Sequence, residues 1–239
     1  MMETRKKASE MTQQELARYV DFSILKPEFT EEEVVKLTKQ CVELECFNAC
    51  INPAHMELCL PLVKGTKTKL SPVLDFPFGA CSTAMKIQMA KQLCEYPEIS
   101  EIDMVANIGL IRAHEYDRVS DDIRPVAEVI HNAGYQLKVI LETDTLTEDE
   151  IRHACHAVVN GNADFVKTST GFITGYNDVG AAPETIQIML DEVGDQIKVK
   201  GSGHIRTREH FLKLIDMGVS RMGVGYKSVP IVLGIKQAK

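Results

Sequence analysis

The constraint that bears hardest on this chain is an unbroken alternation of short apolar runs with longer amphipathic stretches. Val20-Asp21-Phe22-Ser23-Ile24-Leu25 alternates like a half-buried strand, and Pro27 stops it. Thr30 then precedes Glu31-Glu32-Glu33, an acidic first turn suited to the positive end of a helix running to about residue 43. Phe47-Asn48-Ala49-Cys50-Ile51 is the next strand, with Pro53 placed to open the helix after it. The pattern continues with a strand over 70–76, the loop Pro77-Phe78-Gly79-Ala80 and a helix over 83–95. A strand over 101–105 leads to a helix over 115–133, and a strand over 137–142 to a helix that opens on a Thr147/Glu150 capping box and ends near Gly161. The run through Lys167 precedes a helix over 183–193, the run through Lys200 one over 207–217, and a strand over 220–224 a final helix.

Eight strands, each followed by a helix, predict a parallel sheet closed into a (β/α)8 TIM barrel. Thr12 and Glu15 form another capping box, opening a short N-terminal helix over 13–19 as a lid on one barrel end. The 239 residues suit one such domain spanning 1–239. An open doubly wound sheet would call for a GxGxxG or GxxxxGK[ST] loop after an early strand, and neither occurs there.

Within this frame three charges stand where charge is costly. Lys167 ends Ala163-Asp164-Phe165-Val166-Lys167 and shares a strand face with Phe165. Lys200 ends Gln196-Ile197-Lys198-Val199-Lys200 just before the Gly201-Ser202-Gly203 loop, and Asp103 sits inside Glu101-Ile102-Asp103-Met104-Val105. A buried cation without a partner gives up several kcal/mol to desolvation or loses its proton, and a neutral lysine is a nucleophile toward carbonyl carbon. The bland reading of each lysine is a stem along the strand with its charge in water. In a barrel, however, strand C-termini gather at one mouth, so the three residues become candidates for one site. Two lysines and an acid without a metal-ligand pattern suit Schiff-base chemistry: one neutral amine attacks, a neighbouring ammonium depresses its pKa, and the carboxyl group moves protons.

The segments Glu101-Ile102-Asp103-Met104-Val105, Lys138-Val139-Ile140-Leu141-Glu142-Thr143, Asp164-Phe165-Val166-Lys167-Thr168-Ser169-Thr170-Gly171-Phe172 and Val199-Lys200-Gly201-Ser202-Gly203 together resemble the deoxyribose-phosphate aldolases. The opening Asp21-Phe22-Ser23-Ile24-Leu25-Lys26-Pro27 is similar to that family's Asp-His-Thr-x-Leu-Lys-Pro. The resemblance implies a class I aldolase that reversibly splits 2-deoxyribose 5-phosphate into acetaldehyde and glyceraldehyde 3-phosphate. It makes Lys167 the Schiff-base residue, Lys200 the partner lowering its pKa, and Asp103 the proton-relay acid; no metal or other cofactor is implied. Gly201, Gly203 and Gly225 are the positions where backbone amides can hold the phosphate, and Gly171 is a further candidate for substrate binding. The loops depart from the family there: its paired glycines before Ile/Val-Arg-Thr are Gly203-His204 here, and its paired serines are replaced by Gly225-Tyr226, followed by Lys227. His204, Tyr226 and Lys227 are therefore candidate substrate contacts, and a related aldolase or transaldolase acting on another sugar phosphate, or a non-catalytic barrel, stays open.

Other features read more plainly. His153 and His156 have metal-like spacing around Cys155 but no further ligand nearby, and read as surface and core positions. Lys198 rivals Lys200 but lies two residues deeper, toward the opposite mouth; Glu142 reads as a structural acceptor as readily as a site residue. Seven cysteines without a CxxC pair predict thiols rather than disulfides. A net charge of -7 argues against nucleic acid, the absence of a long apolar run argues against a membrane span, and the start of the chain has no secretion pattern, so a cytoplasmic enzyme is expected. The partners expected are a small aldehyde, a sugar phosphate and, on base rates, further copies of the chain in a homo-oligomer.

Overall fold

The computed structural model describes residues 6–173 and 175–235; the ends of the expected 1–239 span and Thr174 lie outside the described residues. Eight parallel strands close into a barrel in sequence order: β1 (Val20–Ile24), β2 (Asn48–Ile51), β3 (Lys69–Leu74), β4 (Glu101–Val105), β5 (Gln136–Ile140), β6 (Phe165–Lys167), β7 (Lys198–Ser202) and β8 (Arg221–Gly225), which pairs back onto β1. The helices are α1 (Gln13–Ala17), α2 (Glu31–Glu43), α3 (Met56–Val63), α4 (Thr83–Cys94), α5 (Ile108–Arg112), α6 (Tyr116–Asn132), α7 (Glu148–Asn160), α8 (Pro183–Val193), α9 (Arg208–Met217) and the short α10 (Val229–Val232). Among the described residues no helix is long and apolar enough to cross a membrane.

Local chemistry accounts for most of the boundaries. Thr12, Thr30 and Thr147 each accept from the backbone N–H three residues on, while Glu15, Glu33 and Glu150 reach back to the cap N–H. The expected helix over 13–19 stops sooner, at Ala17, whose carbonyl turns outward to accept Phe47 N–H. That places α1 at the N-terminal mouth, where Arg18 donates to the carbonyls of Glu45, Cys46 and Lys67 ahead of β2 and β3. The α5 turn was not anticipated; Asn107 starts it by accepting from Leu110 N–H.

Strand alternation divides the burial in two. Outward-facing Phe22, Ile24, Ala49, Ile51, Ile102, Met104, Leu137, Val139, Val166, Val199, Met222 and Val224 are buried against the helices in one apolar core. Where most barrels fill their interior with branched aliphatics, this one holds Asp21, Asn48, Ser71, Glu101, Asp103, Lys138, Lys167, Lys200 and Arg221, all buried. Charge on this scale raises the cost of folding unless each group is paired, which is the reason to look for chemistry there.

Candidate active site

Asp103 on β4 is the hub of the interior. Its Oδ1 accepts from Lys138 Nζ at 2.8 Å and from Ser71 Oγ at 3.1 Å. Its Oδ2 accepts from Lys167, the last residue of β6, at 2.7 Å and from Lys200 at 2.6 Å; Lys200 was expected to end its strand, but β7 runs on through Ser202 and leaves it at the middle. The two amines therefore share one carboxylate oxygen inside the barrel.

A second tier lies beneath. Asp21 on β1 pairs with Lys200, lies 3.2 Å from Lys138 Nζ, accepts from Asn48 Nδ2 at 2.9 Å and has Arg221 Nε at 3.5 Å. Glu101, the first residue of β4, meets Lys138 Nζ at 2.6 Å, Arg221 Nη2 at 2.6 Å and Asn48 Nδ2 at 2.7 Å. Lys138 reaches from β5 to β1, and Arg221 from β8 to β4; such contacts can be made only across a closed barrel.

The partners are shared unequally, and protonation follows. Burial lowers the pKa of Lys167, and the positive charge of Lys200 lowers it further than Asp103 alone can restore. Lys200 is equally buried, yet Asp103 and Asp21 together raise it above the usual lysine value. Lys138 is raised as well, burial being outweighed by Asp103, Asp21 and Glu101. Burial by itself would raise Asp103, but Lys138, Lys167 and Lys200 hold it well below the ordinary carboxylate range. The Cys50 thiol beside them is pushed up to about 11, chiefly by burial. Of the three lysines the weakest base is thus Lys167, which among the described residues is ion-paired with Asp103 alone.

Lys167 also opens onto a cavity of about 270 Å³ at the C-terminal mouth. Its wall includes Gly171, Gly203, His204, Gly225 and Tyr226, as expected, together with Ser23, Lys26, Ser202, Arg206 and Ser228, which were not anticipated. Two expected contacts lie outside it. Gly201 faces the helices, where an added Cβ would meet Ala181 and Ile186, because alternation on β7 turns it away from Lys200. Lys227 is exposed, its ammonium 5.7 Å from the Tyr226 ring centroid. His204 pairs with Asp178 at 2.6 Å, joining the β7–α9 loop to the β6–α8 loop. A larger cavity, about 770 Å³, lies at the opposite mouth among Lys198, Asp164 and His131. Neither Lys167 nor Lys200 lines it, so size alone would point to the wrong end of the barrel.

Lys198 is exposed at that opposite mouth, over the Phe165 ring at 5.1 Å. Glu142 accepts from Thr170 N and Oγ1, a structural bond between the β5 and β6 loops, and its pKa is raised by burial. The two histidines around Cys155 are both exposed and part ways: His156 pairs with Glu192 at 2.8 Å, and His153 stacks on Tyr116. Among the described residues no cluster of three or more His, Cys, Asp or Glu is placed to hold a metal ion. Sequence reasoning gave no role to Lys138, Asp21, Glu101, Asn48 or Arg221. Lys138 carried the same signal as Lys167, a lysine inside an apolar run. Glu101 and Arg221 begin their strands, where a charge ordinarily faces water.

No protein-family model matches the chain. Among curated proteins, the deoxyribose-phosphate aldolase of Thermococcus kodakarensis is 40% identical over 226 residues, 94% of this chain and 98% of that one. Among solved structures, a putative deoxyribose-phosphate aldolase from Coccidioides immitis superposes with a TM-score of 0.85 at 32% identity, covering 94% of this chain and 87% of that one. The deoxyribose-phosphate aldolase from Aeropyrum pernix, described as having a unique tetrameric structure, gives 0.82 at 25% identity over 93% and 91% of the two chains. With this identity over nearly the whole length, and a charged interior built for an amine nucleophile, the chain belongs to the deoxyribose-phosphate aldolase family.

Proposed function

We propose that this protein reversibly cleaves 2-deoxyribose 5-phosphate to acetaldehyde and glyceraldehyde 3-phosphate through an imine on Lys167. The observation that carries the reading is the shared Asp103 oxygen: two buried amines on one acceptor, with only the less compensated one lining the cavity. The neutral Lys167 amine attacks C1 of the open-chain sugar, and loss of water gives a protonated imine. The C3 hydroxyl then yields its proton, the C2–C3 bond breaks into the iminium, and C3 leaves as the aldehyde of glyceraldehyde 3-phosphate. Protonation of the remaining enamine at C2 and hydrolysis release acetaldehyde and restore Lys167. Asp103, in contact with Lys167 and Lys200, is positioned to relay these protons, while the Lys200 ammonium keeps the nucleophile deprotonated by like-charge repulsion.

The phosphate end is assigned to the outer part of the cavity, where Lys26, His204 and Arg206 supply cationic or cation-forming side chains and Gly171, Gly203 and Gly225 allow close backbone approach. The Gly203-His204 and Gly225-Tyr226 departures lie on this wall, so they bear on the phosphate rather than on the imine. A homo-oligomer in the cytoplasm is the setting we infer, supported by the tetrameric relative and by seven free thiols; light scattering on the purified protein reads its mass.

Acetaldehyde followed by borohydride should add one reduced two-carbon adduct at Lys167, and Lys167→Met should lose both the adduct and at least about a thousandfold in kcat. An adduct mapped to another residue overturns the mechanism. Turnover of 2-deoxyribose 5-phosphate well above that of unphosphorylated 2-deoxyribose is the result expected of the phosphate assignment.

A further inference from the structure

The charge count of the barrel interior does not balance. Four basic side chains, Lys138, Lys167, Lys200 and Arg221, face three carboxylates, Asp21, Glu101 and Asp103. The surplus of one cation is enclosed, so water screens it poorly and the site relieves it by giving up a proton. Arg221 cannot be the group that does so, because a guanidinium keeps its charge even when buried. Lys138 touches all three carboxylates and Lys200 touches two, whereas Lys167 touches one and stands next to the cavity through which a proton leaves. Topology thus directs the deficit to Lys167.

We propose that the Glu101–Arg221 pair at the floor of the barrel is a positioning pair that governs the acid limb of the pH–rate profile, Arg221 supplying the surplus cation that makes the Lys167 amine yield its proton. The inference rests on the imine reading above. Arg221 never meets substrate: it lies at the N-terminal end of β8, donates to the carbonyls of Arg18 and Ser220, and stacks over the Phe47 ring at 3.5 Å. Its charge reaches Lys167 through a chain of contacts, from Asp21 to Lys200 to Asp103 and then to the amine. The other titratable or charged groups around Lys167 are Cys50 on β2, Glu142 after β5, Lys138 on β5, which shares Asp103 with it, and Lys26, His204 and Arg206 on the cavity wall. Of these only Lys138 touches the floor pair, through Glu101 at 2.6 Å, and with Asp21 and Asp103 still beside it Lys138 keeps two carboxylates when Glu101 is changed.

The floor pair gives a test with opposite signs. Arg221→Gln leaves three cations on three carboxylates, so Lys167 holds its proton longer and the acid limb of kcat/KM for 2-deoxyribose 5-phosphate moves roughly one pH unit alkaline. Glu101→Gln leaves four on two, and the limb moves acid by a similar amount. Arg221→Lys, with charge retained, keeps the wild-type limb, and Glu101→Gln/Arg221→Gln, again with a surplus of one, returns close to it. Loss of packing alone would lower the rate without moving the limb in opposite directions. Limbs of the two single variants that coincide with wild type, or move the same way, overturn the proposal. Should Arg221→Gln fail to fold, an unshifted Glu101→Gln is enough to overturn it. Borohydride trapping on the wild-type protein separates the two levels: no adduct at Lys167 removes the imine reading itself, whereas an adduct with unshifted variants removes only the role of the floor pair.

Discussion

Lys167 and Lys200 illustrate how little the residue type decides. Lys167 ends β6 and Lys200 sits at the middle of β7, yet both are buried and both donate to the same oxygen of Asp103. Their pKa values nevertheless move in opposite directions, because Asp21 pairs with Lys200 as well, whereas among the described residues Asp103 is the one carboxylate ion-paired with Lys167. Gly180 matters in a different way, through the absence of a side chain. It has φ +57°, and an added Cβ would fall 2.7 Å from the carbonyl of Gly203, whose oxygen accepts Ala181 N–H at 3.2 Å. Asp144 holds the same turn by accepting from the Gly180 amide at 3.1 Å. Gly180→Ala therefore pushes Gly203 and His204 out of the cavity wall. The expected outcome is a KM for 2-deoxyribose 5-phosphate raised roughly tenfold, with borohydride trapping of acetaldehyde at Lys167 unchanged; steady-state kinetics beside mass spectrometry read both.

Among the elements, helices and strands followed from local rules wherever those rules are strong. Three threonine-glutamate capping boxes and the prolines at 27, 53 and 183 were legible because each acts within a few residues of itself. Helix-to-helix packing was not. Lys86 on α4 looks like one more exposed lysine, yet it is fully buried, donating to Asp122 on α6 at 2.6 Å and to the carbonyl of Val105 at the end of β4. Asp122 also accepts from Thr83 at 2.6 Å, so the cluster fixes α4 against α6 and against the strand that carries Asp103. Lys86→Met strands the carboxylates of Asp122 and of Asp75, which lies 3.6 Å from the same ammonium, and should cost about 3 kcal/mol in urea unfolding. Lys86→Met/Asp122→Asn, which removes the nearer of the two uncompensated charges and leaves Asp75, should recover part of that loss.

For the whole molecule the ionic interior sets the response to acid. Asp21, Glu101 and Asp103 all have pKa values held below normal by the surrounding cations, against burial that would raise them. A carboxylate depressed in the fold contributes stability that is present above its unfolded pKa and is lost as pH falls toward its folded one. Urea midpoints should hold between about pH 7 and pH 5 and drop below it, as the unfolded carboxylates begin to take up protons that the folded ones refuse. Asp103→Asn should flatten that drop while removing activity.

The barrel and three of its charged residues were legible in the chain, because periodicity, caps and a charge inside an apolar run are local signals that neighbouring residues reveal. Which charges answer which came from the folded barrel. Glu101 meets Arg221 from 120 residues away, and Asp21 meets Lys200 from 179. Their partnership depends on closing the barrel rather than on anything near them in the chain. That closure leaves one amine with fewer carboxylates than its neighbours, and the proton balance of the site follows from it.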